Sequence, residues 1–447
     1  MISGDTIAAI ATAPGRGGVA VIRVSGPAAF AIGEKLTGKS GEAESFPLLR
    51  RSVIRDPRSG RDSASPLIDE ALVLLFKSPH SYTGEDVVEF QCHGGAVTPR
   101  RVLEACLAVG ARLARRGEFT ERAFLNGKVD FGQAESVLDL IDAKTVRAAD
   151  AALEGLSGRR RRECRELYES ALDLSARLEH ALDVDEGELP ADFPPSVVSS
   201  VSRLRSSLDN AIRRSAEGRL LNRGALVVLA GPPNAGKSSL LNALLEENRA
   251  IVSEIPGTTR DSIEAWIDLD GWPIRLVDTA GLREAKDEVE GEGVRRSEEL
   301  LSKADVVVWL KSCKVEKLKS SSTLQSFNLS TLVIHPKCDL GRGEGLNVSA
   351  KTGEGVEELK RAIVAKLEEK LAAADEGDAP EGDVAAYQEA LALLNGGPEA
   401  EDARREVDLV LLANAVRAAA ERLGEAVGAA YSTDMLDKLF SRFCVGK

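Results

Sequence analysis

The sequence predicts three architectures in one chain: an α+β N-terminal domain, a helical central domain, and an inserted α/β domain with a doubly wound, mostly parallel sheet. Three observations carry this. Over the first hundred or so residues β-like runs alternate with turns. From Phe119 the chain becomes rich in Ala, Leu, Glu and Arg with apolar residues at helical spacing. From Ala225 short apolar runs alternate with helical stretches, and helical composition returns afterwards. At 447 residues the chain is also too long for one ordinary core.

The elements follow in order. "TIAAIAT", "VAVIRVS", "ALVLLF" and "DVVEFQCH" alternate or cluster apolar residues as strands do, and a helix is expected from about Thr98 to Ala114. Phe119 to about Asp183 contains no proline and should form long helices, interrupted by "DVDEGELPADFPP" and resumed up to Asn222. "ALVVLA", "PIRLVDT", "ADVVVWL", "STLVIH" and "GLNVSA" then read as strands of a parallel sheet, and "AAADEGDAPEGD" as an acidic exit before the last helices. The expected domains are residues 1–118, 119–222, 223–372 and 373–447, the second and fourth being halves of one helical domain.

Composition narrows the function classes. No apolar run approaches the length that spans a bilayer, and the N-terminus lacks a basic flank before a long apolar core, so a cytoplasmic, non-membrane protein is expected. The six cysteines show neither CxxC nor Cys/His ligand spacing, which argues against a disulfide framework and structural zinc and for small packed thiols. A formal charge of -13 repels polyanions at long range, so a nucleic-acid partner must be held by local basic patches or through other proteins. The run Arg159 to Arg162 reads as a solvated helix face.

"GPPNAGKS" fits GxxxxGK[ST] between an apolar strand and a helix, with Gly231, Gly236, Lys237 and Ser238 at the fixed positions. In this phosphate loop Lys237 would neutralise β/γ oxygens and Ser238 would ligate Mg²⁺, with Asn234, Ala235 and Ser239 lining the same cradle. "LVDTAGL" places Asp278 at a strand end for the Mg²⁺ shell, then Thr279, Ala280 and Gly281 toward the γ-phosphate. "PGTTRD" between them supplies Thr258 or Thr259 to complete the metal site. Base choice lies in "HPKCD": Lys337 and Asp339 match a guanine-reading NKxD, Pro336 stands where that motif has Asn, and Ser349, Ala350 and Lys351 look like the backup contact to guanine O6. GTP is the expected nucleotide.

Leu282 occupies the position from which a Gln orients water in Ras-like enzymes, so Glu284 is the candidate for that role. In place of an arginine finger, the Asn234 side chain and carbonyls of Ser253 and Ile255, in a segment running through Glu254, Pro256 and Gly257, form a ring of oxygens suited to K⁺.

With "DTIAAIATAPGRGGVAVIRVSG", "SYTGEDVVEFQCHGG", "RGEFTERAFLNGKVDFGQAESVLDLIDAKT", "IVSEIPGTTRD", "DTAGLRE" and the terminal "FCVGK" added, the chain resembles the tRNA wobble-uridine modification GTPases of the MnmE/TrmE type. The resemblance implies a homodimer formed through the N-terminal domain, which binds 5,10-methylene-tetrahydrofolate or its 5-formyl form at Arg23, Glu89, Lys128 and Lys447. It implies K⁺ at Asn234, Ser253, Ile255 and Thr258, Mg²⁺ at Ser238 and Thr259, and Glu284 as general base. It further implies an FAD-dependent partner protein in a heterotetramer, tRNA as substrate, and a cysteine, here Cys444, near the modification site. From the residues alone, Glu89, Gln91 and His93 share one strand side, which a half-solvated sheet face explains equally well. A rival function is a GTP-dependent ribosome-assembly switch that binds rRNA and modifies nothing; such proteins usually append an RNA-binding domain such as KH, and no GXXG-bearing KH pattern appears.

Overall fold

The computed structural model describes residues 4–41, 45–59, 66–184, 193–247, 264–278, 299–311, 330–343, 345–372, 383–396, 409–428 and 433–447. They divide into two compact units, one of residues 1–138, 156–158 and 430–447, the other of residues 139–155 and 159–429.

The first unit is built on a six-stranded sheet in the order β3-β4-β5-β2-β1-β6, where β1 is Ile7–Ile10, β2 Val19–Ser25, β3 Leu48–Arg55, β4 Leu67–Phe76, β5 Val87–His93 and β6 Arg112–Leu113. All pairs are antiparallel except β1 with β6. Alternation sends Ile22, Val24, Val73, Leu75, Val88 and Phe90 to one face, where α1 (Ala29–Thr37) and α2 (Thr98–Ala108) close the core with Ile32, Leu36, Val102 and Cys106. The helix expected to reach Ala114 stops at Ala108, because Gly110 at φ 120° turns the chain and releases Arg112–Leu113 to pair as β6.

The other face holds a smaller cluster of Ile7, Ala9, Ala114 and Phe119, the last from α3 (Glu118–Leu125). Helix α4 (Phe131–Asp142) contributes Ala134 and Leu138 to a cluster with Leu439, Phe440 and Phe443 of the chain's end. The long helical stretch predicted from Phe119 therefore begins as separate short helices; only α6 (Arg159–Asp183), after α5 (Val146–Leu156), runs 25 residues.

The second unit holds two cores. In the helical one, α6 and α7 (Phe193–Arg223) pack with α10 (Asp383–Asn395) and α11 (Leu409–Gly428) through Leu167, Leu174, Val201, Leu208, Tyr387, Leu394, Val416 and Leu423. Helices from both sides of the α/β segment thus share one core, as an insertion requires. The α/β core is a second six-stranded sheet, β12-β11-β10-β7-β9-β8, of β7 Ala225–Ala230, β8 Glu264–Leu269, β9 Trp272–Asp278, β10 Val306–Leu310, β11 Ser330–Pro336 and β12 Leu346–Val348. Every pair is parallel except β8 with β9. Helices α8 (Lys237–Glu247) and α9 (Val356–Ala372) bury Leu240, Leu241, Leu244, Leu359, Ile363 and Leu367 on one face, against Val227, Leu229 and Ile274. Asp305, 1% exposed, locks the start of β7: it accepts from Leu226 N, Arg223 and Lys370 at 2.8 to 2.9 Å. Among the described residues no helix is long and apolar enough to cross a membrane.

Candidate functional site

The phosphate loop joins β7 to α8 as the motif requires. Gly231 sits at φ 147°, where a Cβ would lie 2.7 Å from the Leu310 carbonyl; Asn234 and Gly236 also take positive φ, at 61° and 97°. These residues curl the loop so that the first turn of α8 opens into its concavity, the geometry in which backbone N–H groups and the helix dipole favour an anion. Lys237, 7% exposed, is held inside by the carbonyls of Gly231 and Pro232, both at 3.0 Å. Ala235 is buried, whereas Asn234, Ser238 and Ser239 face solvent.

At the end of β9, Asp278 is 1% exposed and accepts the Ser238 hydroxyl at 2.6 Å. Parallel pairing of Leu229 with Asp278 brings the two motifs together from strands that are neighbours in space. A hydroxyl and a carboxylate side by side are a hard oxygen pair that fits Mg²⁺. When bound, such a metal neutralises charge on the phosphate oxygens; the protein's own part is to hold Ser238 and Asp278 in place.

The residues expected to read the base lie beyond β11. Lys337, at φ 60°, reaches back to donate to the Asn234 carbonyl at 2.9 Å, stapling this loop to the phosphate loop. Asp339 is exposed, and its carboxylate accepts the hydroxyl of fully buried Ser349 at 2.8 Å. The loop behind is closed by Ser349 N on Glu354 O at 2.8 Å and Cys338 N on Val348 O at 3.3 Å. Ala350 is half-buried and Lys351 exposed beside it. Pro336 is buried as the last residue of β11, in register with Val348, so the position carries packing in place of a side-chain amide. Ser253, Glu254, Ile255, Pro256, Gly257, Thr258, Thr259, Thr279, Ala280, Gly281 and Glu284 lie outside the described residues.

A second constellation occupies the first unit. Arg23 of β2 and Glu89 of β5 are cross-strand partners, and Arg23 Nε donates to Glu89 Oε1 at 2.8 Å, with side chains 17% and 16% exposed. The Arg23 guanidinium stands 5.3 Å from the Tyr82 ring centre and 5.6 Å from that of Phe119. Tyr82 OH and Thr120 Oγ1 share a hydrogen bond of 2.9 Å, and burial raises the phenol pKa.

The chain's end arrives here too. Val445 bridges Arg116, Phe119 N donates to Lys447 O at 3.3 Å, and Lys447 lies close enough to feel both charges of the pair: burial first, then Arg23, lower its ammonium pKa while Glu89 opposes them. Lys128 is placed on the neighbouring loop, donating to the Pro79 carbonyl at 3.0 Å and packing on Gly84. The Arg23–Glu89 pair keeps both charged groups partly exposed, where they can hydrogen-bond a polar ligand. Tyr82, Phe119 and Thr120 escaped the residue-by-residue reading, although they lie inside the quoted "SYTGED" and "RGEFTER" stretches; no local spacing signals that they converge on Arg23.

Cys92, Cys106, Cys164 and Cys338 are buried, and burial raises their thiol pKa values, to about 11 at Cys92 and Cys164. Cys444 departs from the packed-thiol expectation: Phe443 takes the buried place at 1% exposure and the next residue faces solvent. Cys313 lies outside the described residues.

The family described as "GTP-binding protein TrmE N-terminus" matches residues 6–128, and the "MnmE helical domain" matches residues 131–444. The tRNA modification GTPase MnmE of Nitrosomonas europaea is 39% identical over 470 residues, covering all of both chains. That of Symbiobacterium thermophilum is 40% identical over 471 residues, covering 99% of each. Among solved structures, the G domain of T. maritima FeoB is 26% identical over 32% of this chain and 98% of its own, at a TM-score of 0.24, too loose a superposition to bear on the fold. With both family signatures and relatives aligned end to end, the chain belongs to the MnmE/TrmE family of tRNA modification GTPases.

Proposed function

We propose that this protein hydrolyses GTP and couples the cycle to modification of carbon 5 of the wobble uridine of certain tRNAs, installing an aminomethyl-type group. The observation that carries this reading is the 2.6 Å contact of Ser238 with Asp278 in a phosphate loop stapled by Lys337 to the loop of Asp339. In this reading Lys237 holds the β/γ oxygens, Ser238 and Thr259 hold Mg²⁺, Asn234, Ser253, Ile255 and Thr258 hold K⁺, and Glu284 orients the attacking water. Ser239, Glu254 and Gly281 are further GTP contacts.

The carbon enters as 5,10-methylene-tetrahydrofolate at Arg23, Glu89, Lys128 and Lys447, a reading supported by the Arg23–Glu89 ion pair beside Tyr82 and Phe119. An FAD-dependent partner completes the chemistry in a cytoplasmic heterotetramer. Residues 1–118 form the folate and dimer domain, 223–372 the G domain, and 119–222 with 373–447 the helical domain. A homodimer through the N-terminal sheet is supported by Leu49 and Leu72, 58% and 44% exposed on the edge strand β3 and its neighbour β4.

The decisive experiment is nucleoside analysis of tRNA from a deletion strain. Loss of the modified wobble uridine is expected, and a full complement of it would overturn the assignment. Turnover of GTP by the purified protein should rise in K⁺ over Na⁺ buffer; equal rates would remove the K⁺ role.

A further inference from the structure

Strand β9 links two places. One end is Asp278 at the phosphate loop; the other, Trp272, starts at the β8–β9 turn about 20 Å away at the usual strand rise. That turn is stiff, with Asp270 and Gly271 at φ 50° and 84° and Gly271 N donating to Asp268 Oδ1 at 2.7 Å.

The turn is gripped from the helical side. Thr145 accepts Ala148 N at 3.2 Å at the start of α5 and donates its hydroxyl to Gly271 O at 2.8 Å. The Arg147 guanidinium lies 4.0 Å from the ring centre of Trp272, which is 1% exposed, and its stem packs where a Gly271 Cβ would stand, 3.1 to 3.2 Å from Arg147 Cβ and Cδ. The same guanidinium donates to Glu217 of α7 at 2.6 Å. One side chain therefore touches the sheet's edge hairpin and α7 while standing on α5.

We propose that Arg147 is a positioning residue that couples the nucleotide-facing end of β9 to helices α5 and α7. It does so as the link between Trp272 and Glu217. A strand and a two-residue turn transmit displacement with little bending, whereas the helices meet the turn through few polar contacts. Ala148 of α5 and Leu220 and Leu221 of α7 share the apolar core around Trp272, and the Arg147 guanidinium adds the charged contact that touches both the hairpin and α7. The inference rests on the nucleotide reading of the phosphate loop given above.

The test is amide hydrogen exchange of residues 143–156 and 210–223 in the full chain, loaded with GDP or with a non-hydrolysable GTP analogue. In the unsubstituted protein, exchange should differ between the two nucleotides by roughly fivefold or more. In Arg147→Met, which keeps the stem and removes the charge, the difference should vanish while both nucleotides still bind; Arg147→Lys should restore part of it. A clamp with only a structural role would raise exchange equally in both nucleotide states. That result, or exchange in the unsubstituted protein that ignores the nucleotide, overturns the proposal. Failure to bind either nucleotide would instead overturn the GTPase reading.

Discussion

Replacement of Asp339 by Asn isolates base recognition from phosphate binding. Asp339 offers its carboxylate at the mouth of the nucleotide loop, oriented by the buried Ser349 hydroxyl at 2.8 Å. Guanine presents two donors, N1–H and the 2-amino group, and each charge-assisted bond to a carboxylate contributes about 1.5–3 kcal/mol. Because Asp339 is exposed, solvent screening places the pair at the low end, about 3 kcal/mol together, or about a hundredfold in Kd. Asp339→Asn should weaken GTP by that factor and improve xanthosine triphosphate, whose C2 carbonyl accepts from the new amide.

Inosine triphosphate, lacking one donor, should bind the unsubstituted protein about tenfold more weakly than GTP. Ser349→Ala, which frees the carboxylate to rotate, should cost about 1 kcal/mol. Pro336 supplies no amide, but Lys337 on the Asn234 carbonyl still fixes the loop, so ATP should remain a poor competitor. Calorimetric titration with the four nucleotides measures all of this. GTP affinity unchanged within twofold in Asp339→Asn, or ATP binding as tightly as GTP, would refute the reasoning.

Three other perturbations separate the remaining roles. In the first unit, burial would raise the Glu118 pKa, but hydrogen bonds from Arg112, Arg115 N and Arg122 outweigh it and hold the group at about 2, against an ordinary 4.5. A depressed folded pKa stabilises above the unfolded value and is lost as pH falls, so about 3 kcal/mol should disappear between about pH 4.5 and 2. Thermal melts of Glu118→Gln should show a flatter acid limb than the unsubstituted protein; identical limbs would contradict the assignment. Glu89→Gln, which leaves Arg23 without its charged partner, should weaken tetrahydrofolate binding about tenfold or more in a fluorescence titration and leave GTP turnover unchanged. Gly231→Ala must place a methyl against the Leu310 carbonyl at φ 147°, costing about 1–3 kcal/mol of strain. Its melting temperature and GTP affinity should fall together, and a variant with both intact would show that the loop tolerates a side chain.

The parts of the fold legible in the sequence are those whose burial is one-sided and regular. Residues 225–230 are buried throughout and β2 alternates, so both announce themselves. β3 does not: as an edge strand it carries Arg50 and Arg51 in its middle and buries only Ser52 and Ile54. β8 escapes for a related reason, since "EAWIDL" sets two acids among its apolar residues and gains its place by pairing antiparallel with β9. α1 has nine residues, too few for its periodicity to stand out.

The two candidate sites differ in the same way, and the difference is physical. A phosphate cradle is made of consecutive backbone amides at one helix start, so its instructions must be consecutive in sequence, and Gly231 through Ser238 spell them out. The Arg23 site is made by register and by chain return. Glu89 meets Arg23 because β2 and β5 pair antiparallel at that row, and Phe119 because α3 covers the same face. Lys447 arrives because Gly446, at φ 105°, lets the last residues run tightly along β1, where a Cβ would strike the Ile10 carbonyl. None of those three conditions is a spacing, so residue patterns alone leave Arg23 and Glu89 as a half-solvated sheet face. The same logic explains Arg147, whose partners Trp272 and Glu217 lie on a hairpin and on a helix far from it in sequence. Contacts that join elements, as opposed to building one, are the ones a linear reading passes over, and the proposed coupling between nucleotide and helices consists of such contacts.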